Sequence, residues 1–252
     1  MIGIYDYTVI LTYLSLASAS LGTIITMTGR GHPYIGAFFL LFCGLCDAFD
    51  GKVARTKKDR TDSGRKFGIQ IDSLSDVVAF GVLPACIGYA VLNTSSIFKS
   101  IYPAAYDVDP PAILKELFGG VEWYFIVLKV AIIAVLVLFS LAALIRLAYF
   151  NVKEDERMQT APDSPTTYTG LPVTSSALIF PTVLLLRYVF DLTLSVDLTP
   201  LYFITMVITG YLFLAKFSFK KPNTKQVLIM VAIGAIEFIA ISILLIFRSP
   251  SC

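Results

Sequence analysis

Charge is what this sequence has least of. Asp, Glu, Lys and Arg make up 15% of its 252 residues, 56% are hydrophobic, and mean hydropathy is +0.77. A soluble domain carries about 25% charge, so a water-soluble globule is excluded and the apolar surplus must face lipid. Histidine occurs once, as His32, and the four cysteines (Cys43, Cys46, Cys86, Cys252) are scattered. That scarcity argues against a Cys/His zinc site, and the spacing gives no disulfide framework. Cys43 and Cys46 fall inside an apolar run and read as small packing residues. No internal repeat or low-complexity segment stands out. The net charge of +2 decides little by itself; what matters is that Lys and Arg cluster in a few loops, and no nucleic-acid partner is expected. The first apolar segment is preceded by Asp6 rather than by a basic stretch and has no small-residue cleavage site. It is expected to be a retained helix.

What the sequence does have is long apolar runs with few charges, of the roughly 20 residues that cross a bilayer. They cover Tyr7 to Gly29, Pro33 to about Lys57, about Phe67 to Asn93, about Glu122 to Phe150, Leu171 to Leu192, Leu198 to Ala215, and Gln226 to Phe247. None alternates like a strand, and lipid tolerates no unpaired backbone, so an all-α polytopic transmembrane bundle is expected. Basic residues orient it. Lys52, Arg55, Lys57, Lys58, Arg60, Arg65 and Lys66 follow the second run; Arg146, Lys153 and Arg157 flank the end of the fourth; Lys216, Lys220, Lys221 and Lys225 follow the sixth. The opposite side has mainly Arg30, Lys99, Lys115 and Arg248, with Arg187 near a helix end. Alternating helices put the three basic loops on one face, and the positive-inside rule makes that face cytoplasmic. The proline-containing stretch 97–120, with a short helix around 112–117, becomes an outer loop.

Four carboxylates break the pattern. Asp47 and Asp50 are spaced i, i+3, and Asp72 and Asp76 i, i+4, so each pair shares a helical face. The two helices are antiparallel neighbours joined by a short cytoplasmic loop, which brings both pairs to similar depth. Four ionised carboxylates near the membrane core would be costly and would repel one another. Divalent cations remove both penalties, and an all-oxygen site suits Mg²⁺ or Mn²⁺. Gly51 and Ala54 lack bulk and would let a ligand approach the helix, and Arg55 offers a planar positive fork for phosphate. Lone membrane carboxylates are often helix-pairing or proton-relay groups. Two face-matched pairs beside Gly, Ala and Arg fit a site better.

These residues resemble the signature of the CDP-alcohol phosphatidyltransferases, Asp-x-x-Asp-Gly-x-x-Ala-Arg followed by Gly-x-x-x-Asp-x-x-x-Asp. All its fixed positions are present, as Asp47, Asp50, Gly51, Ala54, Arg55, Gly68, Asp72 and Asp76. Asp72 to Ala85, Arg146-Leu-Ala-Tyr-Phe-Asn151, Gly170-Leu-Pro172 and Lys216-Phe-Ser-Phe-Lys-Lys221 are similar to the phosphatidylserine synthase branch. Two features depart from the family: twelve residues separate Arg55 from Gly68, where about eight are usual, and the first helix lacks a Pro-Asn opening.

The resemblance implies a six-helix core over about residues 5–221, an extra C-terminal helix at about 225–247, and one integral membrane domain over residues 1–252. It implies two divalent cations, Mg²⁺ or Mn²⁺, holding a CDP-lipid against Asp47, Asp50, Asp72 and Asp76. Asp76 would also act as general base. Gly51, Ala54, Arg55 and Gly68 would line the CDP-lipid site, with Thr12 and Ser15 as nucleotide contacts and Arg146 on the acceptor's carboxylate or a lipid phosphate. The expected reaction moves a phosphatidyl-type group from CDP-diacylglycerol or CDP-archaeol to L-serine, releasing CMP. A homodimer in a prokaryotic plasma membrane, its active site facing the cytoplasm, is implied as well. Glycerol phosphate and inositol phosphate are the rival acceptors, but their second phosphate calls for more basic residues than Arg146 alone near the inner ends of helices four and five. A cation transporter would bind its cargo at the carboxylates and release no CMP; a prenyltransferase would take a prenyl diphosphate. Glu237 is read as a helix-packing or protonated acid.

Overall fold

In lipid a backbone N–H finds no water, so the apolar runs close their hydrogen bonds within helices. The computed structural model describes residues 5–28, 31–54, 56–57, 59, 61–95, 123–160, 167–220 and 224–247. Arg55 and the expected outer loop at 97–120 lie outside them, as do Arg30, Lys58, Arg60, Lys99, Lys115, Lys221 and Arg248 among the orienting charges. The helices are α1 (Ile10–Met27, led by a 3₁₀ turn Tyr7–Val9), α2 (Pro33–Ala54), α3 (Asp62–Asp76), α4 (Leu83–Thr94), α5 (Trp123–Thr160), α6 (Ser176–Leu194), α7 (Thr199–Leu214) and α8 (Thr224–Phe247). Helices α3 and α4 form one 33-residue rod through a π-helical stretch, Val77–Val82. Six helical segments are long and apolar enough to cross a membrane, and α7 is a shorter apolar helix. This is the polytopic all-α bundle that the apolar runs require.

Two helices outrun their apolar segments. The third span begins at Asp62 rather than near Phe67, because Thr61 caps it: its side chain accepts the Gly64 N–H at 3.1 Å, and Asp62 sits favourably in the first turn. Gly64 and Gly68 therefore both lie inside α3. Helix α5 runs ten residues beyond Phe150 to Thr160, carrying the i, i+3 pairs Lys153–Glu156 and Glu154–Arg157. Charge ends a hydrophobic run without ending a helix that has reached the interface.

Lipid tails are as apolar as Leu, so helices in a membrane associate through close packing rather than hydrophobic transfer. Small residues supply it. A Cβ on Gly22 would lie 2.6 Å from that of Phe39, one on Gly44 2.6 Å from that of Ala177, and one on Gly81 3.1 Å from that of Ala143. Helix α2 sits centrally, against α1, α4, α6 and α8. The core is filled by Leu40, Phe80, Leu83, Ile87, Phe180, Leu184, Tyr202 and Met206, all fully buried. Tyr202 places its hydroxyl 2.8 Å from the Pro84 carbonyl, so its polar end is satisfied in the apolar interior. Glu237 is buried on α8 and is hydrogen-bonded by Thr182 of α6, consistent with a packing role.

Each side of the membrane has its own fastening. At the end away from Asp47 and Asp50, Arg187 Nε lies 3.2 Å from Asp197 Oδ1, which also accepts from Thr199 N (2.9 Å) and Oγ1 (2.7 Å), while Ser95 Oγ donates to Oδ2 at 2.6 Å. The ion pair is buried and ties α4, α6 and α7 together. Burial alone would raise the Asp197 carboxyl, but the Ser95 and Thr199 hydrogen bonds and the Arg187 guanidinium hold it well below the usual carboxylate range. At the carboxylate-bearing end, Lys57 pairs with Asp6, so the chain ahead of α1 lies against the α2–α3 loop. That pairing holds Asp6 below its ordinary value too. A two-stranded antiparallel ribbon, β1 (Thr167–Thr169) and β2 (Ser218–Lys220), joins the α5–α6 and α7–α8 connections.

Candidate active site

Asp47 and Asp50 stand on the last turns of α2, and Asp72 near the end of α3. Each offers one carboxylate oxygen, and the three atoms lie within 4.8 Å of one another. The i, i+3 spacing puts Asp47 and Asp50 on one side of α2, and the antiparallel return of the chain brings Asp72 to meet them. Three half-buried acidic oxygens this close repel strongly unless a cation or protons lie between them. The donor set is all oxygen, which suits a hard divalent ion.

Asp76 stands outside that trio. It lies one turn deeper on α3, is buried at 7% exposure, and is within electrostatic reach of the other three carboxylates and of Arg146. The arrangement is therefore a carboxylate trio that could hold a metal ion, with a secluded fourth carboxylate behind it.

Hydrogen bonds fix α3 from two sides. Ser75 Oγ donates to the Thr12 carbonyl at 3.3 Å, fastening α3 to α1, and Asn151 Nδ2 donates to Ser73 Oγ at 2.7 Å, fastening it to α5. Thr12 thus meets α3 through its backbone. Ser15 is buried, its carbonyl accepts from Cys43 Sγ at 3.3 Å, and its hydroxyl has no hydrogen-bond partner among the described residues. Gly51 is exposed and Ala54 and Gly68 half-exposed, leaving backbone open beside the carboxylates.

Arg146 of α5 is buried at 5% exposure and does not snorkel to water. Its Nε donates to the Leu171 carbonyl at 3.0 Å, and its guanidinium lies over the Phe150 ring, 4.8 Å from the centroid. Reasoning from the sequence missed Ser73, Ser75 and Asn151 as parts of the site. The signal for Asn151 was present, since it closes the same short string that Arg146 opens.

Three known proteins bear on this geometry. A CDP-diacylglycerol–serine O-phosphatidyltransferase of Helicobacter pylori is 28% identical over 214 residues, 84% of this chain and 70% of that protein. One of Saccharomyces cerevisiae is 40% identical over 67 residues, 26% of this chain and 23% of that protein. An archaetidylserine synthase of Methanothermobacter thermautotrophicus is 41% identical over 78 residues, 31% of this chain and 33% of that protein. The CDP-alcohol phosphatidyltransferase family matches residues 8–248, a stretch that begins in the turn before α1 and ends just past α8. With its carboxylate trio inside a match that takes in nearly every helix, this chain belongs to the CDP-alcohol phosphatidyltransferase family.

Proposed function

We propose that this enzyme transfers a phosphatidyl-type group from a CDP-lipid to the hydroxyl of L-serine, releasing CMP, at the cytoplasmic face of a prokaryotic plasma membrane. The observation that carries the reading is the trio of oxygens from Asp47, Asp50 and Asp72, with Asp76 secluded behind them. The names of the relatives support serine as acceptor. Acyl ester and isoprenoid ether lipids both have precedent among them.

Asp47, Asp50 and Asp72, with Asp76, would hold two divalent cations, Mg²⁺ or Mn²⁺. Such ions neutralise the diphosphate and ease departure of CMP. The remaining work falls to the chain. Gly51, Ala54 and Gly68 would leave room for the CDP-lipid beside the signature helices, Arg55 would offer its fork to the lipid's phosphates, and the buried hydroxyl of Ser15, with Thr12, would meet the nucleotide. Arg146 would read the carboxylate of serine with its planar fork. Asp76 takes the proton from the serine hydroxyl as the new O–P bond forms and the P–O bond to CMP breaks. A seryl hydroxyl is a poor nucleophile at neutral pH, and a positioned base contributes about 10²–10⁴-fold. One membrane domain contains the whole site, and the family resemblance supports a homodimer.

The test is an acceptor panel: purified protein, CDP-diacylglycerol and Mn²⁺ or Mg²⁺, with labelled serine, glycerol phosphate or inositol phosphate. Labelled phospholipid with stoichiometric CMP from serine supports the reading. Product from glycerol phosphate or inositol phosphate but not serine moves the acceptor. Metal flux into liposomes without CMP release replaces the enzyme with a transporter.

A further inference from the structure

Arg146 owes its position to a corner of the chain far from it in sequence. Gly170 takes φ +74, in the left-handed region that favours glycine, and it lies against the C-terminal end of α7. A Cβ there would sit 2.7 Å from the Phe213 carbonyl oxygen and 3.3 Å from those of Leu212 and Ala215. The contact is with backbone, which cannot move aside as a side chain would. The Gly170 N–H donates to the Phe217 carbonyl at 2.8 Å, and the Leu171 N–H to that of Leu212 at 3.0 Å. These bonds satisfy carbonyls at and just beyond the end of α7, which a helix end otherwise leaves open. The Leu171 residue thereby bridges two elements: its N–H is anchored to α7, and its carbonyl accepts Arg146 Nε at 3.0 Å.

From this geometry we infer that Gly170 is a positioning residue for acceptor recognition. The Gly170–Leu171 corner, docked on the end of α7, latches the Arg146 guanidinium in the orientation that receives a carboxylate-bearing acceptor. The inference rests on the proposed role of Arg146 toward serine. The bond at Nε and the Phe150 ring beneath its central carbon leave the guanidinium little freedom to turn. A fork held this way reads a planar carboxylate with little ordering cost at binding. Gly170 touches no substrate and acts through Leu171 and Arg146.

The test compares wild type, Gly170→Ala, Arg146→Lys and the double variant in detergent, with two readouts. The first is steady-state kinetics: Gly170→Ala should raise the KM for serine about tenfold while leaving the KM for CDP-diacylglycerol within about twofold. Arg146→Lys should raise it at least as much, and the double variant no further, since both changes break one arrangement. The second is labelling of Arg146 by phenylglyoxal, read by mass spectrometry, which should accelerate in Gly170→Ala and at no other arginine. Unchanged serine KM in folded Gly170→Ala, or unchanged Arg146 labelling, overturns the latch. If Gly170→Ala is not recovered folded, Arg146→Lys decides: it keeps the charge and loses the Nε–H, so an unaltered serine KM overturns the proposal. Wild type that makes nothing from serine removes the acceptor reading instead, and the labelling arm then judges the latch.

Discussion

Asn151 of α5 holds Ser73, the residue that follows Asp72, by a 2.7 Å hydrogen bond. With Ser75 bonded to the Thr12 carbonyl on the other side, the carboxylate-bearing end of α3 is braced between α1 and α5. Removing one partner of such a bond costs about 1 kcal/mol. Asn151→Ala, Ser73→Ala and the double variant should therefore give a coupling energy of about 1 kcal/mol in a double-mutant cycle of stability. Strict additivity would remove the brace.

Asp76→Asn keeps the size of the side chain and removes its basicity. Turnover should fall by about 10²–10⁴-fold, with helicity and thermal stability in detergent retained. Direct titration of Mn²⁺ separates the roles: affinity should change less than in Asp47→Asn or Asp72→Asn, because Asp76 lies outside the trio. Full activity in Asp76→Asn would end its assignment as base.

Stripping divalent ions with a chelator should abolish CMP release, and Mg²⁺ or Mn²⁺ should restore it. Binding should also raise the thermal midpoint, since a ligand of the folded state stabilises it by mass action. A chelated sample that turns over normally contradicts a metal-held diphosphate.

The buried Arg187–Asp197 pair gives a prediction on stability and pH. Asp197→Asn leaves the Arg187 guanidinium buried without its counter-charge and should cost about 3 kcal/mol. In the wild type the Asp197 carboxyl is lowered on folding. Its contribution is therefore complete well above the unfolded carboxylate value of about 3.9, and is lost as pH falls through that value toward the lower folded one. Thermal midpoints measured from pH 7 to pH 3 should fall less steeply in Asp197→Asn than in wild type. Parallel curves would count against it.

Gly44 faces Ala177 so closely that an added Cβ would lie 2.6 Å from the alanine's own. Both atoms are rigid, so Gly44→Ala must push α6 away from α2, at about 1–3 kcal/mol. Because Gly44 lies one turn before Asp47, activity should drop along with stability. A variant as stable and active as wild type would mean that the helices are not this close.

Much of this was legible in the residues. Seven apolar segments announce the bundle, and the i, i+3 spacing of Asp47 and Asp50 fixes their common face whatever surrounds them. The separation of Asp76 from the trio was hidden: a helical face says which side a residue is on, and the sequence does not show how deep the partner helix reaches. Arg187 looked like a residue near a helix end, because its partner Asp197 lies in a loop whose fold no periodicity reveals. The bond from Arg146 to Leu171 was invisible for the same reason, since any residue has a carbonyl and only the turn at Gly170 aims this one. Arg55 and the 97–120 loop lie outside the described residues, so their expected roles stand as the sequence states them.

The π-helical stretch between α3 and α4 sets the azimuth of the carboxylates. There the Leu83 N–H reaches back five residues to the Val78 carbonyl, whereas the Val77 N–H before it reaches back four, to Ser73. The wider turn takes in one residue more than regular winding would, and Ser140 of α5 donates to the Gly81 carbonyl within it. A residue is worth about 100° of rotation in an α-helix. Without that extra residue, the carboxylate-bearing half of the rod would be turned by roughly this angle against its other half, swinging Asp72 away from Asp47 and Asp50. The slack turn lets one continuous span satisfy two phases at once, a close-packed apolar one above and a charged one below.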